Sequence, residues 1–233
     1  MNKQINNQIK LDVLGDGIGS IKLIDWMGDD LRAVNAARVS FNRDSKGAEA
    51  DKQLINYLME QGHHSPFEHI MFTFRVKCPL IVARQWLRHR TWKYNEVSRR
   101  YTSQDIEFYY PTKWRGQDNI DKQGSSGEFS KEANELFDDE LQEALIATMK
   151  AYNNLLAAGV SREMARMALP VNLYTSYYAT VDLRNLFGFL KQRLDSHAQW
   201  EIRQYAEAIL DIIRIIVPWS VEAWEKYENI RRA

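Results

Sequence analysis

The sequence predicts an α+β protein in which several long helices flank a small mixed or antiparallel sheet. Apolar residues recur at helical spacing in most of the longer segments, which is typical of amphipathic helices. Shorter runs of branched and aromatic residues, such as 69–77 and 172–181, are typical of strands. The chain has 233 residues, of which 45% are hydrophobic, so we expect one domain over 1–233 with a substantial core.

The first quarter of the chain predicts two strands followed by two helices. The strands fall near residues 9–14 and 20–26 and are separated by glycines. Asp29 or Asp30 can cap the first helix, because a short side-chain oxygen accepts from the free N–H groups at a helix start. The second helix carries apolar residues at helical spacing and ends at Gly62.

A helix after the strand over 69–77 carries a strongly basic surface. Pro79 suits the first turn of this helix, and the pattern predicts helix as far as Arg90. One face packs toward the core, and the opposite face points outward. The core face consists of Val82, Ala83, Trp86 and Leu87, and the outward face of Arg84, Gln85, Arg88 and His89.

The second half of the chain contains a polar segment, helices and one strand. Residues 112–130 are polar and contain three glycines, which indicates a mobile loop or insertion. A long helix follows over about 130–158, and Ser161 can cap a short helix that ends before Pro170. The remaining elements are a strand over 172–181, helices over about 183–194 and 197–216, and a last amphipathic helix after Pro218.

Charge and cysteine content argue against several classes of protein. Lysine plus arginine equals aspartate plus glutamate at 31 each, and this zero formal charge counts against nucleic acid or a membrane as partner. Cys78 is the only cysteine, so no intramolecular disulfide can form and a reducing compartment is expected. The first ten residues do not resemble a signal peptide, and the apolar run 209–217 is too short to span a bilayer. We therefore expect a cytoplasmic protein.

The segment 88–101 (RHRTWKYNEVSRRY) concentrates four arginines with aromatic residues and one acid, Glu96. Crowded guanidinium groups repel one another, and a bound anion removes that cost. Arginine can also grip a phosphate with two parallel hydrogen bonds. Three interpretations are open here: a phosphate-binding enzyme site, a solvated face or protein interface, and a module that stacks single-stranded nucleic acid on its aromatic rings. The zero net charge counts against the last of these.

Four segments of the chain carry polar residues at a recognisable fixed spacing. In the first, Arg88-His89-Arg90 is followed by seven residues and Ser98, within 95–101 (NEVSRRY). The others are 63–69 (HHSPFEH), Arg166 with 169–174, and Arg193 with 195–201. Together these segments resemble the flavin-dependent thymidylate synthases, in the order that this family shows, and the resemblance covers roughly residues 25–220.

The resemblance implies the fold and the reaction of that family. A member would convert dUMP into dTMP, taking a methylene group from 5,10-methylenetetrahydrofolate and a hydride from FAD that NADPH has reduced. It would form a homotetramer whose active sites take residues from more than one subunit, with no nucleic acid or membrane partner. The classical thymidylate synthase attacks uracil with a cysteine. Cys78 lacks comparable surroundings, and we interpret it as a buried structural thiol.

The resemblance also implies roles for individual residues. Arg193 would be the main catalytic residue, since a permanent cation favours the uracil ring ionised at N3 and so makes C5 more nucleophilic. The residues implied for dUMP are Gln85, Arg88, Glu96, Ser98, Arg99, Arg100, Arg166 and Arg193. The residues implied for the flavin cofactor are His63, Ser65, Arg88, His89, Arg90, Glu96, Asp182, Arg184 and Gly188.

Ser98 and the upstream histidines allow other interpretations. Ser98 has no evident base and no strained elbow motif, so we expect it to polarise or position the pyrimidine rather than attack it. His63, His64 and His69 do not have the spacing of a zinc site, and we expect no metal there.

Two positions depart from the pattern of the family. Asp182 and Gly188 stand where asparagine is common, and both positions would touch flavin. An acidic side chain near a pyrophosphate is repulsive unless it points elsewhere, and glycine offers only its backbone. Arg184 can compensate for the acid, and Ser65 keeps the hydroxyl of the more common threonine.

Overall fold

The computed structural model of the chain describes residues 9–42, 45–119 and 124–228. Five of its strands form an antiparallel sheet in the order β1-β2-β3-β7-β4, and β5 and β6 form a separate two-stranded hairpin. The predicted α+β class is confirmed, with an antiparallel sheet. The strands are β1 (Ile9–Leu11), β2 (Ser20–Met27), β3 (Met71–Pro79), β4 (Lys93–Glu96), β5 (Gly116–Gln117), β6 (Ser125–Ser126) and β7 (Tyr174–Asp182).

Helices cover the core face of the sheet and one another. Helix α7 contacts β2, α3, α6 and α8, so it forms the centre of the helical layer. In the described ranges the helices are α1 (Asp30–Arg38), α2 (Ala48–Glu60), α3 (Leu80–Trp86), α4 (Lys131–Ala157), α5 (Arg162–Ala165), α6 (Leu183–Arg193), α7 (Trp200–Ile216) and α8 (Pro218–Tyr227). The predicted bounds of α4, α6 and α7 lie within about three residues of the observed ones. For α1, α2 and α8 the sequence predicted one end of the helix but not the other.

The strand β3 shows why the sheet has one buried face. Successive side chains of a strand point to opposite faces, and β3 alternates apolar and polar residues. It pairs with β7 along its whole length, from Met71 opposite Asp182 to Pro79 opposite Tyr174. The fully buried side chains are Phe72, Phe74, Val76 and Cys78, and the residues between them are Thr73, Arg75 and Lys77.

Helix α3 is shorter than predicted. Pro79 is the last residue of β3 and precedes the helix, which ends at Trp86, and Leu87 is partly exposed instead of packed in the core. The Tyr94 hydroxyl lies within hydrogen-bond distance of two carbonyls, that of Trp86 at 3.1 Å and that of His89 at 3.0 Å. Its one proton can bond to either, so a carbonyl left free at the helix end gains a partner. Residues 88–90 therefore lie on a turn, not on a helix face.

The cause of this early end is a strand that the sequence did not predict. Residues Lys93–Glu96 form β4, which pairs with β7 from Lys93 opposite Thr180 to Glu96 opposite Tyr177. Because the chain must turn back after Trp86 to reach β7, the helical pattern of 88–90 gives way to a tertiary pairing. This turn carries Arg88 and His89 to the end of α6.

The polar segment 112–130 contains more structure than a loop. Residues 120–123 lie outside the described residues, so the mobility of the segment stays a prediction. On either side of them the chain forms the β5–β6 hairpin. Trp114 fixes this region to α4, since its backbone N–H donates to Asn134 at 2.9 Å and its indole N–H to Asp138 at 2.8 Å.

Capping residues fix the start of several helices. Asp29 caps α1 by accepting from the Leu31 N–H at 3.0 Å, and Ser130 caps α4 by accepting from Ala133 at 3.2 Å. Asp30 instead joins two distant parts of the chain. Its buried carboxylate accepts from the backbone N–H of Trp219 at 2.8 Å and that of Ser220 at 3.0 Å, at the start of α8.

No helix within the described ranges is long and apolar enough to cross a membrane.

We expect Asp30→Ala to lower the free energy of unfolding by about 2–4 kcal/mol, because the N–H groups of Trp219 and Ser220 lose their buried acceptor. Denaturation in urea measures this change. Asp29→Ala is the matched control and should cost only about 1 kcal/mol, since it removes an exposed cap. Equal losses in the two variants would show that Asp30 does not join α1 to α8.

Candidate active site

A cleft with a volume of about 1030 Å³ is lined mainly by polar and cationic side chains. We call it the arginine cleft. The end of α3, the end of α6, the loop before α7 and the β5–β6 hairpin surround it. Its lining includes Arg84, Gln85, Arg88, Arg115, Gln117, Asp118, Arg193, His197, Gln199, Trp200 and Arg203. Five arginines and one aspartate among these residues give the cleft a positive field, which favours an anionic ligand.

Arg193, the last residue of α6, lies half-buried in this cleft. Its Nε donates to His89 Nε2 at 3.1 Å, and its Nη2 donates to the Gln85 backbone carbonyl at 3.0 Å. Its Nη1 lies 3.5 Å from the Gln85 side-chain oxygen. These acceptors are neutral, so they orient the guanidinium without neutralising its charge. Burial lowers the pKa of Arg193 from its ordinary value, and a bound anion would offset that cost.

His89 is held in its neutral form by its surroundings. Burial, and to a lesser extent the charge of Arg193, lower the pKa of His89 to about 4. The ring packs edge-on against Phe189, with the two centroids 4.9 Å apart. A neutral Nε2 that accepts from Arg193 requires the remaining proton on Nδ1. His89 therefore acts as an acceptor toward Arg193 rather than as a second cation.

Hydrogen bonds connect Gln85 with a second group of polar side chains, which ends at a buried carboxylate. The Gln85 side-chain nitrogen donates to the Gln199 oxygen, and the Gln199 nitrogen donates to Glu201 at 2.7 Å. Glu201 is only 3% exposed and also accepts from Arg115 at 2.6 Å. The Arg115 guanidinium lies 5.3 Å from the centre of the Trp200 ring.

Most of the other residues predicted for dUMP line a different cleft of about 410 Å³, which we call the serine cleft. Its polar residues are Glu96, Ser98, Arg99, Arg166 and Thr175. The two clefts share no lining residue. Within one chain the structure thus brings Gln85, Arg88 and Arg193 together, and places Glu96, Ser98, Arg99 and Arg166 elsewhere.

The contacts in the serine cleft are mostly to backbone and neutral groups. Glu96 accepts from the Thr175 hydroxyl at 2.5 Å, and Ser98 Oγ accepts from the Arg100 N–H at 3.2 Å. Arg99 donates to two carbonyls, and Arg166 donates to that of Glu163 at 3.2 Å. Ser98 therefore lies among cations and backbone groups, which suits binding an anion.

A third cleft of about 260 Å³ lies between α2 and α6, and we call it the aromatic cleft. It is lined by Met59, His64, Phe67, Arg184, Asn185, Phe187, Gly188, Lys191, Trp224 and Glu228. A Cβ atom placed on Gly188 would meet nothing within 4 Å, so there is open space beside this residue. Of the residues predicted for flavin, Arg184 and Gly188 line this cleft, whereas His63 and Ser65 flank its lining residue His64 without lining the cleft themselves.

Asp182 has a structural task that the sequence left open. It is the N-cap of α6, and its carboxylate accepts from the Asn185 backbone N–H at 2.9 Å and from the Asn185 side chain at 2.6 Å. The acid therefore points at its own helix start, where negative charge is favourable. Arg184 forms an exposed ion pair with Glu68 at 3.4 Å.

The aromatic residues of the segment 88–101 do not form a platform for nucleic acid bases. Trp92 is 4% exposed, and its ring is stacked on that of Tyr94 with the centroids 6.2 Å apart. Tyr94 is further held by its hydrogen bonds to the end of α3. Tyr101, the remaining aromatic residue of this segment, is largely exposed. Recognition of single-stranded nucleic acid depends on exposed rings that stack on bases, whereas Trp92 and Tyr94 stack on each other inside the protein.

Cys78 and the histidines were also candidates for chemistry. Cys78 is fully buried and its thiol donates to the Tyr177 hydroxyl at 3.5 Å. Burial raises the pKa of Cys78 to about 12, so the thiol stays protonated and is a poor nucleophile. No group of three histidine, cysteine or acidic residues in the described ranges could hold a metal ion.

The fold and the three clefts define a protein that binds anionic ligands between a helical layer and the end of a small antiparallel sheet. Residues 22–219 match the family described as "Thymidylate synthase complementing protein". The chain belongs to this family.

Named relatives cover nearly the whole chain. A flavin-dependent thymidylate synthase of Thermotoga neapolitana is 50% identical over 220 residues, which are 94% of this chain and 95% of that protein. One of Thermus thermophilus is 50% identical over 210 residues, 90% of this chain and 76% of that protein. A crystal structure of the UMP/dUMP methylase PolB from Streptomyces cacaoi, bound with 5-Br dUMP, has a TM-score of 0.83. It is 33% identical and covers 90% of this chain and 96% of that chain.

The sequence had already singled out Gln85, Arg88, His89 and Arg193, which the structure brings together. It assigned no role to Arg115, which lies in the polar segment 112–130, or to Arg84 and Arg203. The segment 195–201, which resembles the family, contains Gln199 and Glu201. Spacing along the chain could not show that Gln199 contacts Gln85 or that Glu201 contacts Arg115.

We expect His89 to remain neutral in the native protein until the pH approaches about 4. The unfolded chain protonates the same ring near pH 6.5, so the free energy of unfolding should decrease as the pH falls between these values. NMR titration of the imidazole, assigned with His89→Gln, measures the native pKa. In Arg193→Ala the pKa should rise, and an ordinary His89 pKa in the unsubstituted protein would contradict the geometry.

Proposed function

We propose that this chain is a flavin-dependent thymidylate synthase that methylates dUMP to dTMP, with 5,10-methylenetetrahydrofolate as carbon donor, FAD as cofactor and NADPH as reductant. Family membership and the names of the relatives support the activity. The 5-Br dUMP in the neighbouring methylase supports a deoxyuridylate substrate. The observation that carries the proposal in this chain is Arg193, a half-buried guanidinium in the arginine cleft whose acceptors within the described ranges are neutral.

Arg193 would act by electrostatics. Burial lowers the pKa of Arg193. A guanidinium carries only donors and is not deprotonated in proteins, so Arg193 is not assigned the role of a base. A fixed positive charge beside the pyrimidine favours the form ionised at N3, and the negative charge that this places on the ring makes C5 a better nucleophile. His89 and Gln85 orient the guanidinium for this task. The flanking Arg88 would bind the phosphate or the cofactor.

The residues that would hold flavin have suitable chemistry. The aromatic cleft offers the open space beside Gly188 and the cations Arg184 and Lys191 for a diphosphate. Asp182 is engaged at the start of α6, so its charge need not oppose that diphosphate. We propose that His63, Ser65, Arg88, His89, Arg90 and Glu96 complete the set. When bound, the flavin supplies the hydride that completes the methyl group.

The proposed reaction uses no enzyme nucleophile. The thiol of Cys78 is fully buried and protonated, and it points at Tyr177. Ser98 Oγ accepts from a backbone N–H and lies among Arg99 and Arg166, which fits a role in binding the nucleotide.

We propose a homotetramer in which the arginine cleft of one copy meets the serine cleft of another. The separation of these clefts within one chain supports this arrangement, because Arg193 and Arg166 are both proposed to reach the same nucleotide. Exposed apolar side chains on α4 and beside Arg166 in the chain offer area that copies could bury. They are Leu136, Ile146, Leu155, Met164, Met167 and Val171. The proposed organisation is one domain over 1–233, and the proposed location is the cytoplasm.

We expect Arg193→Ala to lower kcat for dTMP formation on the order of 100–1000-fold, because the charge that stabilises the ionised ring is lost. Flavin binding should change much less. Cys78→Ala is the control and should keep most of its turnover. A folded but inactive Cys78→Ala would favour a cysteine mechanism, and an Arg193→Ala variant that loses flavin but keeps kcat would remove Arg193 from its catalytic role.

Mixing two impaired variants tests the shared site. Arg193→Ala and Arg166→Ala, refolded together and assayed with dUMP well below saturation, should regain activity, because about a quarter of the composite sites would then be intact. Arg193→Ala mixed with Arg88→Ala is the matched control and should regain none, since both residues lie in the arginine cleft. Equal recovery in both mixtures, or in neither, would contradict the composite site.

A further inference from the structure

A line of hydrogen bonds connects a buried carboxylate with the catalytic guanidinium. Glu201 accepts from Gln199, Gln199 accepts from Gln85, and the Gln85 side-chain oxygen accepts from Arg193 at 3.5 Å. Arg193 also donates to the Gln85 backbone carbonyl, which lies outside this line. We propose that Glu201 is a positioning residue, which fixes the direction of both amides and thereby the orientation of Arg193. The expected effect on turnover rests on the proposed function, whereas the effect on the position of Arg193 does not.

The two ends of the line decide how each amide must lie. An ionised carboxylate can only accept hydrogen bonds and a guanidinium can only donate them. Gln199 must therefore present its NH₂ group to Glu201, which leaves its oxygen for Gln85. Gln85 must then present its own NH₂ group to Gln199, and its oxygen faces Arg193. Reversing either amide would place two donors or two acceptors against each other.

The surroundings of Glu201 keep its charge in place. The side chain is almost fully buried, and Oε1 accepts from Arg115 at 2.6 Å and from the Tyr109 hydroxyl at 3.1 Å. Its other oxygen, Oε2, is the one that accepts from Gln199. The cationic partner and two further donors compensate the negative charge of this buried carboxylate.

The position of Gln199 also favours this role over a purely local one. Gln199 is the N-cap of α7, a place where a side chain commonly accepts from the first free N–H groups of its helix. Its side chain forms no such bond. Instead it spans the distance between Glu201 and Gln85, which are 116 residues apart in the chain.

The competing explanation is that Glu201 only anchors the 112–130 segment through Arg115. In that case the contact with Gln199 would be incidental, and loss of the carboxylate would loosen the hairpin without altering Arg193. The two explanations differ in what happens to the opposite end of the line.

Glu201→Gln separates them, because it keeps shape while changing one acceptor into a donor. Arg115 can only donate, so the new amide keeps its oxygen on that side and turns its NH₂ group toward Gln199. Gln199 and then Gln85 must reverse, and an N–H group faces Arg193. We expect the guanidinium to move from His89, and kcat to fall on the order of 10- to 100-fold while KM for dUMP changes little.

The pKa of His89 reports this movement without any catalysis. Arg193 is one of the two causes that hold this pKa at about 4, so it should rise in Glu201→Gln when measured by NMR. Gln199→Leu interrupts the line while leaving the Arg115–Glu201 ion pair intact, and it should raise the same pKa. Gln199→Leu alone can test the proposal if the Glu201→Gln variant does not fold. Tyr109→Phe is the control, because it removes a donor to Glu201 outside the line, and it should leave the His89 pKa unchanged.

The double variant gives the decisive comparison. If Glu201 acts through Gln199, then Glu201→Gln should have no further effect on the His89 pKa or on kcat in a Gln199→Leu background. Additive effects, or an unchanged His89 pKa in both single variants, would overturn the proposal. A normal turnover in Arg193→Ala would instead count against the proposed function, and the NMR result would still decide whether Glu201 positions Arg193.

Discussion

The molecule depends on one electrostatic constraint: a guanidinium is held half-buried, and its direct partners among the described residues are neutral groups. An arginine in such a place usually binds a carboxylate, which would neutralise it. Here Arg193 donates to an imidazole that burial keeps neutral and to the carbonyl of Gln85. The positive charge is thus left for a ligand. Holding it half-buried costs free energy, and a bound anion would offset that cost.

The fold supplies this arrangement through the end of α3. Trp86 lies in an aromatic cluster with Phe189 of α6 and Tyr205 of α7, at centroid distances of 4.9 and 6.0 Å. Packing of these rings fixes the last turn of α3 against α6 and α7, so the groups next to Trp86 face Arg193. Pairing of β4 with β7 then draws the following residues away toward the serine cleft. One short segment therefore contributes to two clefts.

The sequence predicted what local patterns and motifs encode. Periodicity gave the fold class and most element bounds, and the fixed spacing around Arg88 and Ser98 identified the family. It missed β4, because the residues 93–96 become a strand only by pairing with β7 about 80 positions later. It also could not place Arg88 and Ser98 in separate clefts, or connect Glu201 with Gln85, because such contacts depend on how helices pack rather than on spacing.

We infer that the arginine cleft binds a phosphorylated pyrimidine beside a flavin. The most direct measurement is the visible absorption spectrum of the flavin-loaded protein before and after addition of dUMP. We expect dUMP to shift the flavin band, because the nucleotide would lie against the flavin ring. Deoxyuridine at the same concentration should shift it far less, because it lacks the phosphate that the arginines would bind. A flavin band that saturating dUMP leaves unchanged, or that both compounds shift equally, would contradict it.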